Sequence, residues 1–216
     1  MSELLAPETN SVSPSNSDSA PNADAAPQKP DAVLEAARAF IEVLAQCERG
    51  ELASLKRNAG ETLPGRGVAW FPRLLRSQTA KRNEEIFFLV ATLYDLNRKP
   101  KVFGNLGSTL REAAKRAGEG GIGRRFHLLL DASFDVIVDA TNPDAPVQSG
   151  GGEMAFRLRQ LVKLCASKDV GIDWPQLLAD LCRWNMPGKR IQKKWARAYF
   201  GQSADATPNE EPSTKN

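Results

Sequence analysis

The stretch WPQLLADLCRWNMPGKRIQKKWARAYF (residues 174–200) reads as two amphipathic helices separated by a Pro-Gly break. Asp173 stands where a helix N-cap belongs, and Pro175 falls in the first turn, where its missing N–H has no intrahelical partner to lose. Beyond the NMPG interruption, Ile191, Trp195, Ala198 and Tyr199 share an arc of about 100° at helical spacing, with Lys189, Arg190, Lys193, Lys194 and Arg197 on the other side. One stripe is suited to packing, the other to carrying positive charge. Like-charge neighbours four apart (Lys189 with Lys193, Arg190 with Lys194, Lys193 with Arg197) cost about 0.2–0.5 kcal/mol each, so this helix forgoes roughly 1 kcal/mol that interspersed glutamates would regain.

The same helical period extends upstream. After a cap at Asp31, Val33, Ala37, Phe40, Ile41 and Leu44 recur at intervals of three and four, with Gly50 placed to end the helix. A short helix follows from Glu51 to about Asn58, then a Gly- and Pro-broken segment (59–68) and the aromatic piece WFPRLL (70–75). The next helix, from about Asn83, buries Ile86, Leu89, Val90 and Leu93 until Pro100 and two glycines stop it. Thr109 and Glu112 are spaced as a capping box for TLREAAKRAG, which Gly118 closes. In RRFHLLLDASFDVIVDA (124–140), Phe126, Leu129, Leu130, Phe134 and Ile137 keep helical spacing, although FDVIVDA alone also suits a strand; the reading adopted is helix. TNPDAPVQSGGG (141–152) reads as a flexible insertion, after which EMAFRLRQLVKLCAS resumes the helical pattern.

The expectation is therefore an all-α fold of about eight helices in two small helical bundles. They comprise residues 31–117 and 118–201, divided at the glycine-rich stretch 118–123. Residues 1–30 and 202–216 hold no aromatic side chain and are rich in Pro, Ser, Ala and acids, so both are expected to be disordered tails.

The net charge of +3 hides an asymmetry. Seven of the 26 acids and two of the 29 cations lie in the tails, leaving 27 cations against 19 acids, or +8, on residues 31–201. Between Leu181 and Gln202 stand six cations (Arg183, Lys189, Arg190, Lys193, Lys194, Arg197) and no acid. Basic pairs recur elsewhere near helix ends: Lys56 with Arg57, Lys81 with Arg82, Arg124 with Arg125, Arg157 with Arg159. A body so charged suits a polyanion, and without base-reading Asn or Gln on a recognition helix its binding should be sequence-tolerant.

Catalytic chemistry finds little to build on. His127 is the sole histidine and sits between Phe126 and Leu128. Gly118, Gly120 and Gly123 match GxGxxG, but a basic helix precedes them where a dinucleotide site needs a strand, so they read as a hinge. Asp131, Asp135 and Asp139 recur every four residues and read as a solvated helix edge in preference to a metal site, with neither His nor Glu beside them. Cys47, Cys165 and Cys182 are too few and too scattered for a disulfide framework or zinc, which fits a reducing cytoplasm. The longest apolar run, IFFLVA (86–91), is far too short to cross a bilayer. The expectation is no enzyme, no metal and no cofactor, with Trp70, Trp174, Trp184 and Trp195 serving the core in preference to stacking on bases. A helical scaffold whose cations meet acidic protein partners is the alternative.

GELASLKR (50–57), WFPRLL (70–75), LGSTLREAAK (106–115), GRRFHLLLDA (123–132), RLRQLVKL (157–164), IDWPQLLADLCRW (172–184) and KRIQKKWARAYF (189–200) together, in this order, resemble the CasB family, the small subunit of the type I-E CRISPR Cascade complex. The resemblance covers about residues 33–200. It implies a mainly helical, non-catalytic protein, present as two copies beside the other Cascade subunits, that helps hold the guide RNA and target DNA and steadies the displaced strand. Carried over by position, it implies contacts from Lys56, Arg57, Arg73, Arg124, Arg125, Arg157, Arg159, Lys189, Arg190, Lys193 and Lys194; Arg197, on the same basic face, completes the candidate set.

Overall fold

The computed structural model describes residues 31–59, 61, 63, 67–117, 121–139 and 142–201. The two expected tails and Gly118 and Gly120 of the glycine motif lie outside them. Among the described residues the chain forms nine α-helices, one 3₁₀ turn and one two-stranded ribbon. The first half holds α1 (Ala32–Ala45), α2 (Arg49–Arg57), the 3₁₀ turn Phe71–Leu74, α3 (Gln78–Arg82), α4 (Glu84–Tyr94) and α5 (Leu106–Ala117). The second holds α6 (Ile122–Asp131), β1 (Val136–Asp139), β2 (Asn142–Gln148), α7 (Gly152–Ser167), α8 (Trp174–Leu181) and α9 (Arg190–Phe200).

Local chemistry explains most of the boundaries. Asp31 caps α1 by accepting the Val33 and Leu34 N–H groups at 3.1 and 3.2 Å, and Asp173 caps α8 by accepting that of Gln176 at 3.0 Å. The first helix stops at Ala45, ahead of Gly50, because Glu48 and Glu51 start α2: the Glu51 carboxylate accepts the Glu48 N–H at 3.1 Å. The expected box of Thr109 and Glu112 does not form. Asn105 and Ser108 make a reciprocal pair instead, each side-chain oxygen accepting the other's N–H at 3.1–3.2 Å, so α5 begins three residues before Thr109, which is buried.

Helix α4 is buried from Ile86 through Leu93, apolar but for Thr92, whose hydroxyl donates to the Leu89 carbonyl at 2.7 Å, as befits a helix at the centre of a core. Helix α2 packs against it, α1 lies on α8 and α3, α6 lies on α7, and α5 contacts α6, α7 and α9. Phe40 meets Phe71 and Phe87 edge-on at 6.1 and 4.9 Å, and Phe71 meets Phe88 at 5.1 Å. One hydrophobic cluster includes these rings and also Trp174, Trp184 and Trp195, each burial of that size contributing about 1.5–3 kcal/mol. Trp70 is half-buried, with the Arg73 guanidinium 4.9 Å above its ring.

The helix expected over 124–140 ends at Asp131. Two side chains from the loop after α8 capture the backbone that would have continued it. The Trp184 indole N–H donates to the Ala132 carbonyl at 2.9 Å, while the Asn185 amide bonds both the N–H and the carbonyl of Phe134. The chain then turns extended, and β1 pairs antiparallel with β2, Val136 opposite Gln148 and Ile137 opposite Val147. Pro143 and Pro146 are tolerated because each strand of a two-stranded ribbon is an edge. The segment 142–148 is thus a strand where the sequence suggested an irregular insertion, and Asp131 and Asp135 do not share a helix face. Among the described residues no three His, Cys, Asp or Glu groups are gathered for a metal, and no helix is long and apolar enough to cross a membrane.

Candidate nucleic-acid interface

The basic helix α9 is held by its inner stripe. Trp195 is fully buried, its ring 4.8 Å from that of Trp184, and its indole N–H donates to Asp180 at 2.6 Å. Asp180, on α8 and 1% exposed, also accepts from the Gln176 amide at 2.8 Å and from the Lys194 ammonium at 3.3 Å. The Gln192 amide donates to the Trp184 carbonyl at 2.9 Å, a buried polar anchor within the stripe. On the other flank α5 and α9 touch backbone to backbone: a Cβ at Gly107 would overlap the Trp195 carbonyl. Gly201, at φ +76°, closes α9 in the left-handed conformation that favours glycine.

Anchored in this way, α9 turns Arg190, Lys193 and Arg197 outward. These three and the preceding Lys189 are exposed and have no carboxylate partner among the described residues. Arg124 and Arg125, exposed in the first turn of α6, are equally unpaired. They adjoin the end of α9, since the Tyr199 hydroxyl lies 3.5 Å from the point where a Gly123 Cβ would be.

The other candidates are engaged. Lys56 pairs with Asp95 at 3.2 Å, Arg73 with Glu51, Arg157 with Glu153, and Lys194 with buried Asp180. Arg57 donates to the Ser54 hydroxyl at 2.9 Å. Arg159 reaches across from α7 to the Ala59 carbonyl at 3.2 Å, so it sits beside the end of α2 with its Nε buried and unpartnered. The twelve residues therefore form one group at α9 and the start of α6, a second around α2, and Arg157 on α7.

A groove of about 570 Å³ opens between α5, α6 and the end of α9, lined by Arg111, Ala114, Lys115, Ile122, Gly123, Tyr199 and Phe200. Elsewhere, the loop after α4 is fastened by Trp174, whose indole N–H donates to the Asn97 carbonyl at 2.9 Å, and by backbone bonds between Lys99, Lys101 and Ile172. Its tip leaves Val102 and Phe103 exposed.

Residues 51–200 match the family model for CRISPR-associated protein Cse2. The chain belongs to the Cse2 family. A Cse2 protein of Thermus thermophilus is 34% identical over 135 residues, 62% of this chain and 66% of that relative, just under two thirds of its length. The crystal structure of CasB from Thermus thermophilus superposes with a TM-score of 0.55 at 28% identity, covering 78% of this chain and 96% of that one. A chain of a structure described as a CRISPR RNA-guided surveillance complex shares the fold, with a TM-score of 0.58 at 22% identity, over 78% and 94% of the two chains.

In this Cse2 chain, reading the sequence missed Asp180, Gln192, Arg111, Lys115 and Phe200. Asp180 is the one acid inside an otherwise apolar helix stripe, a spacing visible in LLADL. Arg111 and Lys115 stand four apart on the polar face of α5, a separation that stacks them on one side of the helix. Phe200 carried no signal of its own, because its exposure depends on where α9 stops.

Proposed function

We propose that this Cse2 chain is the non-catalytic, nucleic-acid-binding small subunit of a type I-E Cascade complex in the cytoplasm. There it lies beside a second copy of itself and the other subunits. Its cations neutralise the phosphates of guide RNA, target DNA and displaced strand, lowering the free energy of the opened R-loop without reading bases. The observation that carries the reading is the outward row Arg190, Lys193 and Arg197, with Lys189 before it, without a carboxylate partner among the described residues and fixed to a buried platform. A cation without an internal partner gives its whole charge to a phosphate and releases a counterion in doing so.

Family membership supports the CRISPR setting, and the shared fold with a chain of an RNA-guided surveillance complex supports the assembly. The apolar tip Val102–Phe103 is consistent with contacts to neighbouring subunits, since large exposed apolar groups mark interaction surfaces. The test is co-expression of the chain with the remaining subunits and a guide RNA, followed by size-exclusion chromatography. Co-elution with guide and subunits is expected; a chain that elutes alone defeats the reading and favours a scaffold for acidic proteins.

A further inference from the structure

We propose that the groove between α5, α6 and the end of α9 holds one unpaired nucleotide of a single strand, its base stacked on Phe200 and its phosphate met by Arg111 and Lys115. This site rests on the nucleic-acid reading above and adds base stacking to it. The groove's volume, about 570 Å³, suits a group of nucleotide size.

Phe200 supplies the platform. It is 56% exposed, although the helix it ends otherwise turns its rings inward. The Tyr199 ring meets it nearly at right angles at 5.0 Å, and the His127 ring lies 5.6 Å away on α6. Two rings thus brace Phe200, leaving it half open to solvent and held in place before a ligand arrives, which reduces the ordering cost of binding. Tyr199 itself leans on Phe126 of the core at 4.8 Å. Gly123, without a side chain, keeps the wall of the groove low beside the Tyr199 hydroxyl.

The cations line the same groove as the ring. A Cβ at Gly201, the residue after Phe200, would fall 2.5 Å from an Arg111 guanidinium nitrogen, so that charge lies against the end of α9. Lys115 follows Arg111 by one turn of α5 and lines the same groove. Neither has a carboxylate partner among the described residues. An aromatic face next to unneutralised cations is the arrangement that takes a base and its phosphate together. Paired bases present both faces to their neighbours in the stack, so the ligand is an unpaired nucleotide and not a duplex.

The test measures fluorescence anisotropy of the full chain with oligo(dT), oligo(rU) and a DNA duplex across a salt series. Phe200→Ala is expected to weaken single-strand binding about 10-fold, within the roughly 5- to 160-fold range of a lost base stack, with an unchanged salt slope and unchanged duplex binding. Phe200→Trp should restore the affinity. Arg111→Gln and Lys115→Gln should each reduce the salt slope by about 1. A loss on oligo(dT) alone assigns the site to DNA, on oligo(rU) alone to RNA, and on both to any unpaired strand. Wild-type affinity of Phe200→Ala for both oligonucleotides, or an equal loss on duplex, overturns the groove site while leaving the proposed function standing. Absence of salt-sensitive binding by the wild-type chain overturns both.

Discussion

Around α2, Lys56 and Arg73 face the carboxylates of Asp95 and Glu51, whereas on α9 Arg190, Lys193 and Arg197 face none among the described residues. In the sequence both regions carry candidate cations, Lys56, Arg57 and Arg73 in the first and an acid-free run in the second. In the fold they differ in spare charge. An exposed ion pair is worth about 0.2–1 kcal/mol, so Lys56 and Arg73 can still turn to a phosphate, but each does so at the expense of its pair. The acid-free run shows the same division on a smaller scale. Arg183 is bound to Asp31 and Lys194 to Asp180, while Lys189, Arg190, Lys193 and Arg197 have no carboxylate partner among the described residues.

The largest effect should come from separating α9 from its platform. Gly107→Val would force a branched side chain into the Trp195 backbone and is expected to cost about 3 kcal/mol, roughly 6–12 °C in melting temperature, with polyanion affinity falling alongside. An unchanged melting curve would show that α5 does not hold the basic helix in place.

Next in size is the contrast in binding itself. Reversing Arg190, Lys193 and Arg197 to Glu is expected to weaken DNA binding about 100-fold and to reduce the salt slope by about 3, with melting nearly unchanged because all three side chains are exposed. Freeing the other region should act in the opposite direction. Glu51→Gln combined with Asp95→Asn is expected to raise affinity by about 2- to 5-fold, the size of the ion pairs released. Titrations across salt read both outcomes, and equal responses from the two regions would abolish the distinction.

The smallest effect concerns a cation already consumed by the fold. The Arg183 guanidinium bonded to Asp31 holds that carboxyl below the ordinary carboxylate value. The resulting stability is present above about pH 4, the unfolded value, and is lost as pH falls through the folded one. Since the pair is partly exposed, it contributes less than about 1 kcal/mol. Asp31→Asn should flatten the acid side of a pH series of urea denaturations by that amount, and an unchanged series would remove Arg183 from the list of engaged cations.

Much of the fold was legible because its signals are local. The caps at Asp31 and Asp173, the Pro175 first turn, the core stripe of α1 and the two-faced α9 all rest on residues within a turn or two of each other. Of the two readings that failed, one was decided by distant partners and one by local ones. The helix over 124–140 gave way to a ribbon because Trp184 and Asn185, about 50 residues on, claimed its backbone. The box at Thr109 lost to Asn105 and Ser108, an equally local pair one turn earlier that satisfies the first N–H groups of the longer helix.

The sequence by itself determined a helical chain, the total of its cations and their concentration on one helix, since periodicity and composition need no third dimension. Only the tertiary structure decided which charges are left over and where an aromatic ring stays open. Lys56 meets Asp95 across 39 residues and Arg73 meets Glu51 across 22, and Phe200 joins Arg111 and Lys115 in a groove only because α9 docks on α5. Pairing between charges falls off steeply with distance in water, so it is fixed by packing and not by position along the chain.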